Sequence, residues 1–184
     1  AVLRLGQRTT TADAEGEVIA ERPVAYTAQR LAEVVRQFTG VIRQVPPMHS
    51  ALKKDGRALY EYARAGIEVE RTAREVEIFK LEVLDPSVDG SHSAIKIRVS
   101  CSKGTYIRTL GEDIGEALGC GAHLASLRRT VTGPFGLERC VTLAALEAMA
   151  EAQRERCLLP VEALLADHTP LTLEAVDVAR FLNG

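Results

Sequence analysis

No Cys-x-x-Cys pair occurs in this chain of 184 residues, whose four cysteines, Cys101, Cys120, Cys140 and Cys157, are widely spaced. Such spacing indicates neither a zinc site nor a disulfide framework. Cys120 and His123 make a minimal ligand pair, but the nearby chain offers no further thiol or imidazole, so a buried thiol and a loop histidine are expected instead. Asp13, Glu15 and Gly16 lack the spacing and closing Glu of a calcium loop and read as a turn. No metal site is therefore expected. No apolar run approaches the roughly 18 residues that span a membrane, and the first residues show no signal-peptide pattern, so a cytoplasmic location without a membrane partner is expected. Internal repeats and low-complexity tracts are absent too. Nor is there an excess of positive charge: 23 Lys and Arg face 25 Asp and Glu, and a net charge of −2 does not advertise a nucleic-acid binder.

What is present is enough apolar material, 46% of residues, for one sizeable core. Val2 to Leu5 reads as a strand. Thr27 is placed to cap a helix with an apolar stripe of Leu31, Val34, Val35 and Phe38, stopped by Gly40. Pro46 and Pro47 break regular structure, SALKKDG reads as a mobile basic loop, and a short helix follows from about Arg57 to Ala65, held to the body by Leu59, Tyr60, Tyr62 and Ala63. Glu75 to Val83 and Ala94 to Cys101 read as paired antiparallel strands, with Asp85 to Gly90 as their hairpin loop. Leu127 to Val141 carries a further strand and a turn at Gly133 and Pro134; Thr142 caps a helix, Pro160 opens a short one, and Thr172 to Gly184 reads as a last helical piece. The fold class expected is α+β, a mixed and mainly antiparallel sheet with flanking helices.

The segment from Ser102 to Thr130 carries the most information. Upstream of it Ile95, Ile97, Val99 and Cys101 alternate with Lys96, Arg98, Ser100 and Ser102 at the period of a half-buried strand. Gly104 breaks that strand. Ile107, Leu110, Ile114 and Leu118 then recur at helical spacing, with Gly119 as the left-handed residue that ends the helix. Lys103, Tyr106 and Arg108 therefore lie where a strand hands over to a helix N-terminus, a place suited to anions. Cations also gather as Arg43, Lys53, Lys54, Arg57, Arg64, Arg71 and Arg74, and as Lys96, Arg98, Lys103, Arg108, Arg128 and Arg129, though acids interrupt both groups. Composition alone makes these solvated faces.

RLGQRTTTADAEGEV (Arg4 to Val18), VPPMHSALKKDGRALYEYARAGIEVER (Val45 to Arg71), KGTYIRTLGEDIGEALGCGAH (Lys103 to His123) and LRRT (Leu127 to Thr130) together resemble the TruB-type pseudouridine synthases, in the family's order. The resemblance implies the same α+β catalytic domain over residues 1–168, a thumb-like RNA-binding insertion at 45–71, and at 169–184 the possible start of a C-terminal RNA-binding domain of the PUA type. It implies isomerisation of uridine 55 in the T arm of tRNA, without metal or cofactor. Arg108 matches the guanidinium that pairs with the nucleophilic Asp, Tyr106 an aromatic lining the pocket, and Leu127 an apolar residue under the target base. Lys53, Lys54 and Arg57 match phosphate contacts of the thumb, with His49 beside them where relatives commonly carry Tyr; Lys103, Arg128 and Arg129 are further candidates for the RNA backbone.

The family's nucleophilic Asp belongs to a Gly-x-Leu-Asp-Pro type segment ahead of RLGQRT, which places it outside this sequence, together with the Tyr that stacks on the base. The expectation is thus a chain inactive alone, with tRNA and a separate N-terminal piece of the same enzyme as partners. Leu84-Asp85-Pro86 spells the catalytic tripeptide, but its surroundings read as a turn, so Asp85 is not expected to be the nucleophile. The alternative to a synthase is a non-catalytic module that binds or remodels tRNA; a bare α+β interaction domain is a weaker third.

Overall fold

The computed structural model describes residues 1–87 and 93–183. The chain divides into two compact units, Ala1–Arg128 and Arg129–Gly184.

The first unit is built on a five-stranded sheet in the order β4-β7-β8-β1-β9, with every neighbouring pair antiparallel. Its strands are β1 (Val2–Leu5), β4 (Gly40–Gln44), β7 (Arg74–Asp85), β8 (Ala94–Cys101) and β9 (Ala122–Ser126). Two small hairpins accompany it: β2 (Gln7–Thr9) with β3 (Val18–Glu21), and β5 (Lys53–Lys54) with β6 (Arg57–Ala58). The helices are α1 (Ala28–Gln37), α2 (Leu59–Arg64) and α3 (Ile107–Ala117). The core joins Leu31 and Val34 of α1 and Leu110 and Ile114 of α3 to Leu3, Leu5, Ile78, Leu81, Ile95, Ile97, Ala122 and Leu124 of the sheet.

Local chemistry explains most boundaries. The Thr27 hydroxyl accepts from the Arg30 N–H and starts α1. Gly40, at φ +93°, turns the chain from α1 into β4, and Gly119, at φ +86°, ends α3 as its sequence position implied. Gly115 lets α3 lie against β9, because a Cβ at that position would overlap the backbone of Gly121 and Ala122.

Several expectations need correction. SALKKDG is not a loose loop. Lys53-Lys54 pairs with Arg57-Ala58 around Asp55 and Gly56, both at positive φ, as a two-residue Asp-Gly hairpin requires. That pairing delays α2 to Leu59. Leu59 is buried and the Tyr62 hydroxyl donates to the Lys54 carbonyl, but Tyr60 is exposed. β7 runs on to Asp85, which pairs with Lys96 and accepts the Ser87 N–H on its own carboxylate; Asp85 is thus a strand end rather than part of the loop, and Val88 to Gly90 lie outside the described residues. His123 is not on a loop. It is a buried residue of β9 with Nδ1 3.2 Å from the Gln7 carbonyl, while Cys120 is buried as expected.

The second unit contains the hairpin β10 (Val131–Thr132) and β11 (Phe135–Gly136), then α4 (Leu143–Ala148), α5 (Glu151–Glu155), a short 3₁₀ turn at Val161–Leu165 and α6 (Ala175–Asn183). Gly133 and Pro134 form the expected turn, and the Thr142 hydroxyl caps α4 by accepting from Ala145 N–H. None of its described residues is buried.

Candidate active site at the head of α3

The turn Ser102–Thr105 delivers the chain from β8 to α3. Gly104 takes φ +82°, and the Thr105 hydroxyl donates to the Ser102 carbonyl. Tyr106 is the N-cap residue of α3, without a side-chain cap of its own, and Arg108 lies in the first turn. A cation at this end of a helix gains nothing from the helix dipole, so its placement must be supported by other groups.

Those groups come from two separate stretches of chain. Arg108 Nη1 donates to Asp13 Oδ2 at 3.1 Å and to the Thr11 carbonyl at 3.4 Å, while Nη2 donates to the His49 carbonyl at 2.7 Å. The Arg108 and Asp13 side chains are 26% and 21% exposed, so the pair is largely withdrawn from water. The planar fork of arginine can serve all three acceptors, whereas an ammonium group cannot match their geometry.

Asp13 is itself held from several sides. The Thr11 hydroxyl donates to its Oδ1 at 2.6 Å and the Glu15 N–H at 3.1 Å, and its backbone forms a parallel bridge with Leu124. Burial pushes its pKa upward, but the Thr11 and Glu15 hydrogen bonds and the Arg108 charge outweigh this and leave it below the ordinary carboxylate value. It is an ionised partner at neutral pH. The sequence reading took Asp13 as a plain turn residue. Its signal was present in Thr-x-Asp-x-Glu, where an Asx turn fits, but nothing local links it to an arginine 95 positions away.

The thumb-like stretch begins directly beside this crevice. Gln44, 2% exposed at the end of β4, donates from Nε2 to the Tyr106 carbonyl at 3.3 Å and accepts the Tyr106 N–H on Oε1 at 3.1 Å. Arg71 Nη1 donates to the Pro46 carbonyl at 3.1 Å and so ties the two ends of the insertion together. Within it, Lys54 Nζ donates to the Glu70 carbonyl, and Arg57 pairs with Glu61 and lies over the Tyr62 ring at 4.8 Å.

Of the residues singled out from sequence, Arg108, Tyr106 and His49 thus meet at one place, His49 through its backbone rather than its ring. Lys54 and Arg57 are occupied by internal contacts. Lys53 and Lys103 are exposed and form no ion pair among the described residues, and Leu127 (55% exposed) and Arg128 follow β9 on the surface. Arg129 belongs to the second unit. Among the described residues, no group of three His, Cys, Asp or Glu side chains could hold a metal, and no helix is long and apolar enough to cross a membrane.

Asp85 is poorly placed to partner Arg108. Gln44, whose side chain contacts Tyr106, pairs with Arg74 at one end of β7, and Asp85 is at the other end of that 12-residue strand. At about 3.3 Å per residue the two ends are separated by roughly 35 Å of strand.

The antiparallel sheet with its flanking helices is the fold of pseudouridine synthases. Among solved structures, the Cbf5-Nop10-Gar1 complex superimposes with a TM-score of 0.57 at 28% identity, covering 89% of this chain and 42% of that one. An H/ACA RNP bound to a substrate RNA containing 2'-deoxyuridine gives 0.55 at 25% identity, covering 89% and 39%.

Residues 1–107 match the TruB family pseudouridylate synthase N-terminal domain, and residues 108–166 match the tRNA pseudouridylate synthase B C-terminal domain. The chain belongs to the TruB family of pseudouridylate synthases. It is 60% identical to tRNA pseudouridine synthase B of Ralstonia nicotianae, covering 100% of this chain and 59% of that protein. Against the protein of the same name from Chromobacterium violaceum the identity is 53%, with 100% and 59% covered. The chain therefore spans less than two thirds of the length of these curated relatives.

Proposed function

We propose that this chain is the part of a tRNA pseudouridine synthase that supplies the guanidinium, the pocket aromatic and the thumb, and that the whole enzyme isomerises uridine 55 in the T arm of tRNA. The observation that carries the reading is Arg108, anchored by Asp13 and by the His49 carbonyl at the root of a basic insertion. Family membership and the relatives' activity support it.

The reaction breaks the glycosidic bond, turns the uracil and rejoins it through carbon five, so the base must first leave the stack. A nucleophilic carboxylate has to stay ionised beside the substrate, and a guanidinium favours that form. Arg108 meets the requirement. With Asp13 and two carbonyls holding its fork, it can face an incoming carboxylate without reorganising. The nucleophile itself is assigned outside these residues, in the family's Leu-Asp-Pro segment, and Asp85 is not it. Tyr106 lines the pocket and Leu127 packs under the base; Lys53, Lys103, Arg128 and Arg129 contact the RNA backbone directly, Lys54 and Arg57 do so by exchanging their internal partners for phosphate, and His49 sits at the thumb root. No metal or cofactor takes part. Residues 169–184 begin the C-terminal RNA-binding domain.

The test is pseudouridine formation on a T stem-loop RNA by the full-length enzyme. Arg108→Ala is expected to lower the rate by about a hundred- to a thousandfold, the range for losing a preorganised electrostatic partner, with RNA affinity nearly unchanged. Asp85→Ala is expected to stay near the parent rate. A folded but inactive Asp85→Ala protein would overturn the assignment.

A further inference from the structure

Gln44 is a buried polar side chain for which sequence reasoning gave no role. It ends the edge strand β4 and precedes Pro46 and Pro47, which have no N–H to offer. Both polar atoms of its amide are spent on one residue: Nε2 donates to the Tyr106 carbonyl and Oε1 accepts the Tyr106 N–H. The Tyr106 carbonyl also accepts the Leu110 N–H, the first bond of α3. Gln44 thus satisfies the Tyr106 N–H, a donor that the helix itself leaves unpaired, and with its second bond to the Tyr106 carbonyl fixes the residue from which the helix starts.

Five residues further on, His49 accepts from Arg108. The entry limb of the insertion therefore grips α3 at two points, the backbone of Tyr106 and the guanidinium of Arg108. Both are residues to which the proposed function gives direct roles. An amide can donate to one backbone group and accept from the other without taking up a proton. A carboxylate would face the Tyr106 carbonyl with an acceptor, and an aliphatic side chain would leave the Tyr106 N–H without its partner and the carbonyl with the Leu110 bond alone.

We propose that Gln44 is a positioning residue of the pseudouridine-forming site, whose buried amide registers the thumb root on the head of α3 and thereby sets Tyr106 and Arg108 relative to the base. The assignment rests on the functional reading above and goes beyond it. It gives the insertion a second task, holding the catalytic groups in place as well as gripping RNA. Because a small misplacement is enough to slow chemistry, the loss should fall on the catalytic rate rather than on binding.

The experiment compares parent, Gln44→Leu and Gln44→Glu full-length proteins for single-turnover rate and RNA dissociation constant between about pH 8 and about pH 5.5, where a buried glutamate takes up a proton. Amide hydrogen exchange at Tyr106 to Leu110 is followed alongside. Both variants are expected to lose about tenfold or more in rate, with dissociation constants within about threefold of the parent. Gln44→Glu should recover towards the parent rate at the acid end, because its protonated carboxyl regains a donor; Gln44→Leu should not. Exchange at Tyr106 should rise in Gln44→Leu. A folded Gln44→Leu protein with parental rate and parental exchange overturns the proposal, as does a rate loss in Gln44→Glu that is indifferent to pH. If the parent itself forms no pseudouridine, the functional reading fails, and the exchange at Tyr106 still decides whether Gln44 positions it.

Discussion

Arg108 and Asp113 lie on the same helix and meet opposite electrostatic fates. The first has a depressed carboxylate and two carbonyls around its guanidinium. The second is a carboxylate pushed up to about 6 by burial and then by Glu112 and Glu116 on the same helix. Those glutamates are bound by Arg8 and Arg22, which leaves Asp113 with the repulsion and none of the pairing. Because its folded pKa lies above the unfolded value, Asp113 costs stability as pH rises from about 4 through about 6, and the cost is complete above that window. Asp113→Asn is expected to stabilise the protein at neutral pH by on the order of 1 kcal/mol after allowance for solvent screening, and to raise its melting temperature accordingly. The gain should vanish near pH 4. Thermal unfolding of both proteins across that range checks the sign. None of this was legible in GEDIGE, since the burial that shifts Asp113 comes from the fold around the helix.

At the scale of elements, α3 is the piece whose character was easiest to read and whose packing was hardest. The recurrence of Ile107, Leu110, Ile114 and Leu118 and the closing Gly119 specify an amphipathic helix from local rules alone. Its two internal glycines, however, look like weaknesses from sequence, each less helix-favouring than alanine by about 1 kcal/mol. The structure reverses that at Gly115, where a Cβ would overlap the Gly121–Ala122 backbone of the adjoining β9. Gly115→Ala is therefore expected to destabilise by about 1–3 kcal/mol or more, despite its better propensity. Denaturant unfolding of the two proteins measures this; a more stable variant would mean that α3 and β9 can separate freely. β9 itself, AHLAS, went unrecognised as a strand because it is short and weak in strand formers, and it forms by pairing with β1. The Lys53-Lys54 hairpin was overlooked for a different reason. Its Asp-Gly signal sits inside a run of lysines and arginine that reads equally as a basic loop.

For the whole molecule the question is how a chain of net charge −2 would bind the RNA proposed as its substrate. The positive charges of the first unit divide into two sets. Arg8, Arg22, Arg30 and Arg57 are committed to Glu partners, whereas Lys53, Lys103 and Arg128 are exposed without ion pairs among the described residues. Local free cations rather than net charge should therefore govern RNA binding. Lys103→Ala in the full-length enzyme is expected to weaken T stem-loop binding and to lower the slope of log affinity against log salt by about one. Unchanged binding and slope would remove Lys103 from the interface.

By itself the sequence determined the mixed α+β class, the caps at Thr27 and Thr142, the stop at Gly119, the antiparallel pairing of β7 with β8 and the family. These depend on periodicity, turn chemistry and ordered motifs, all of which act over a few residues or are read as strings. Tertiary structure alone decided that Asp13 faces Arg108, that Gln44 bonds the backbone of Tyr106 and that Asp85 ends up at the remote end of β7. Each is a contact or separation between residues tens of positions apart. A buried hydrogen bond or ion pair leaves no local periodicity behind it; its partners are chosen by which strand edges and helix ends the packed core brings together.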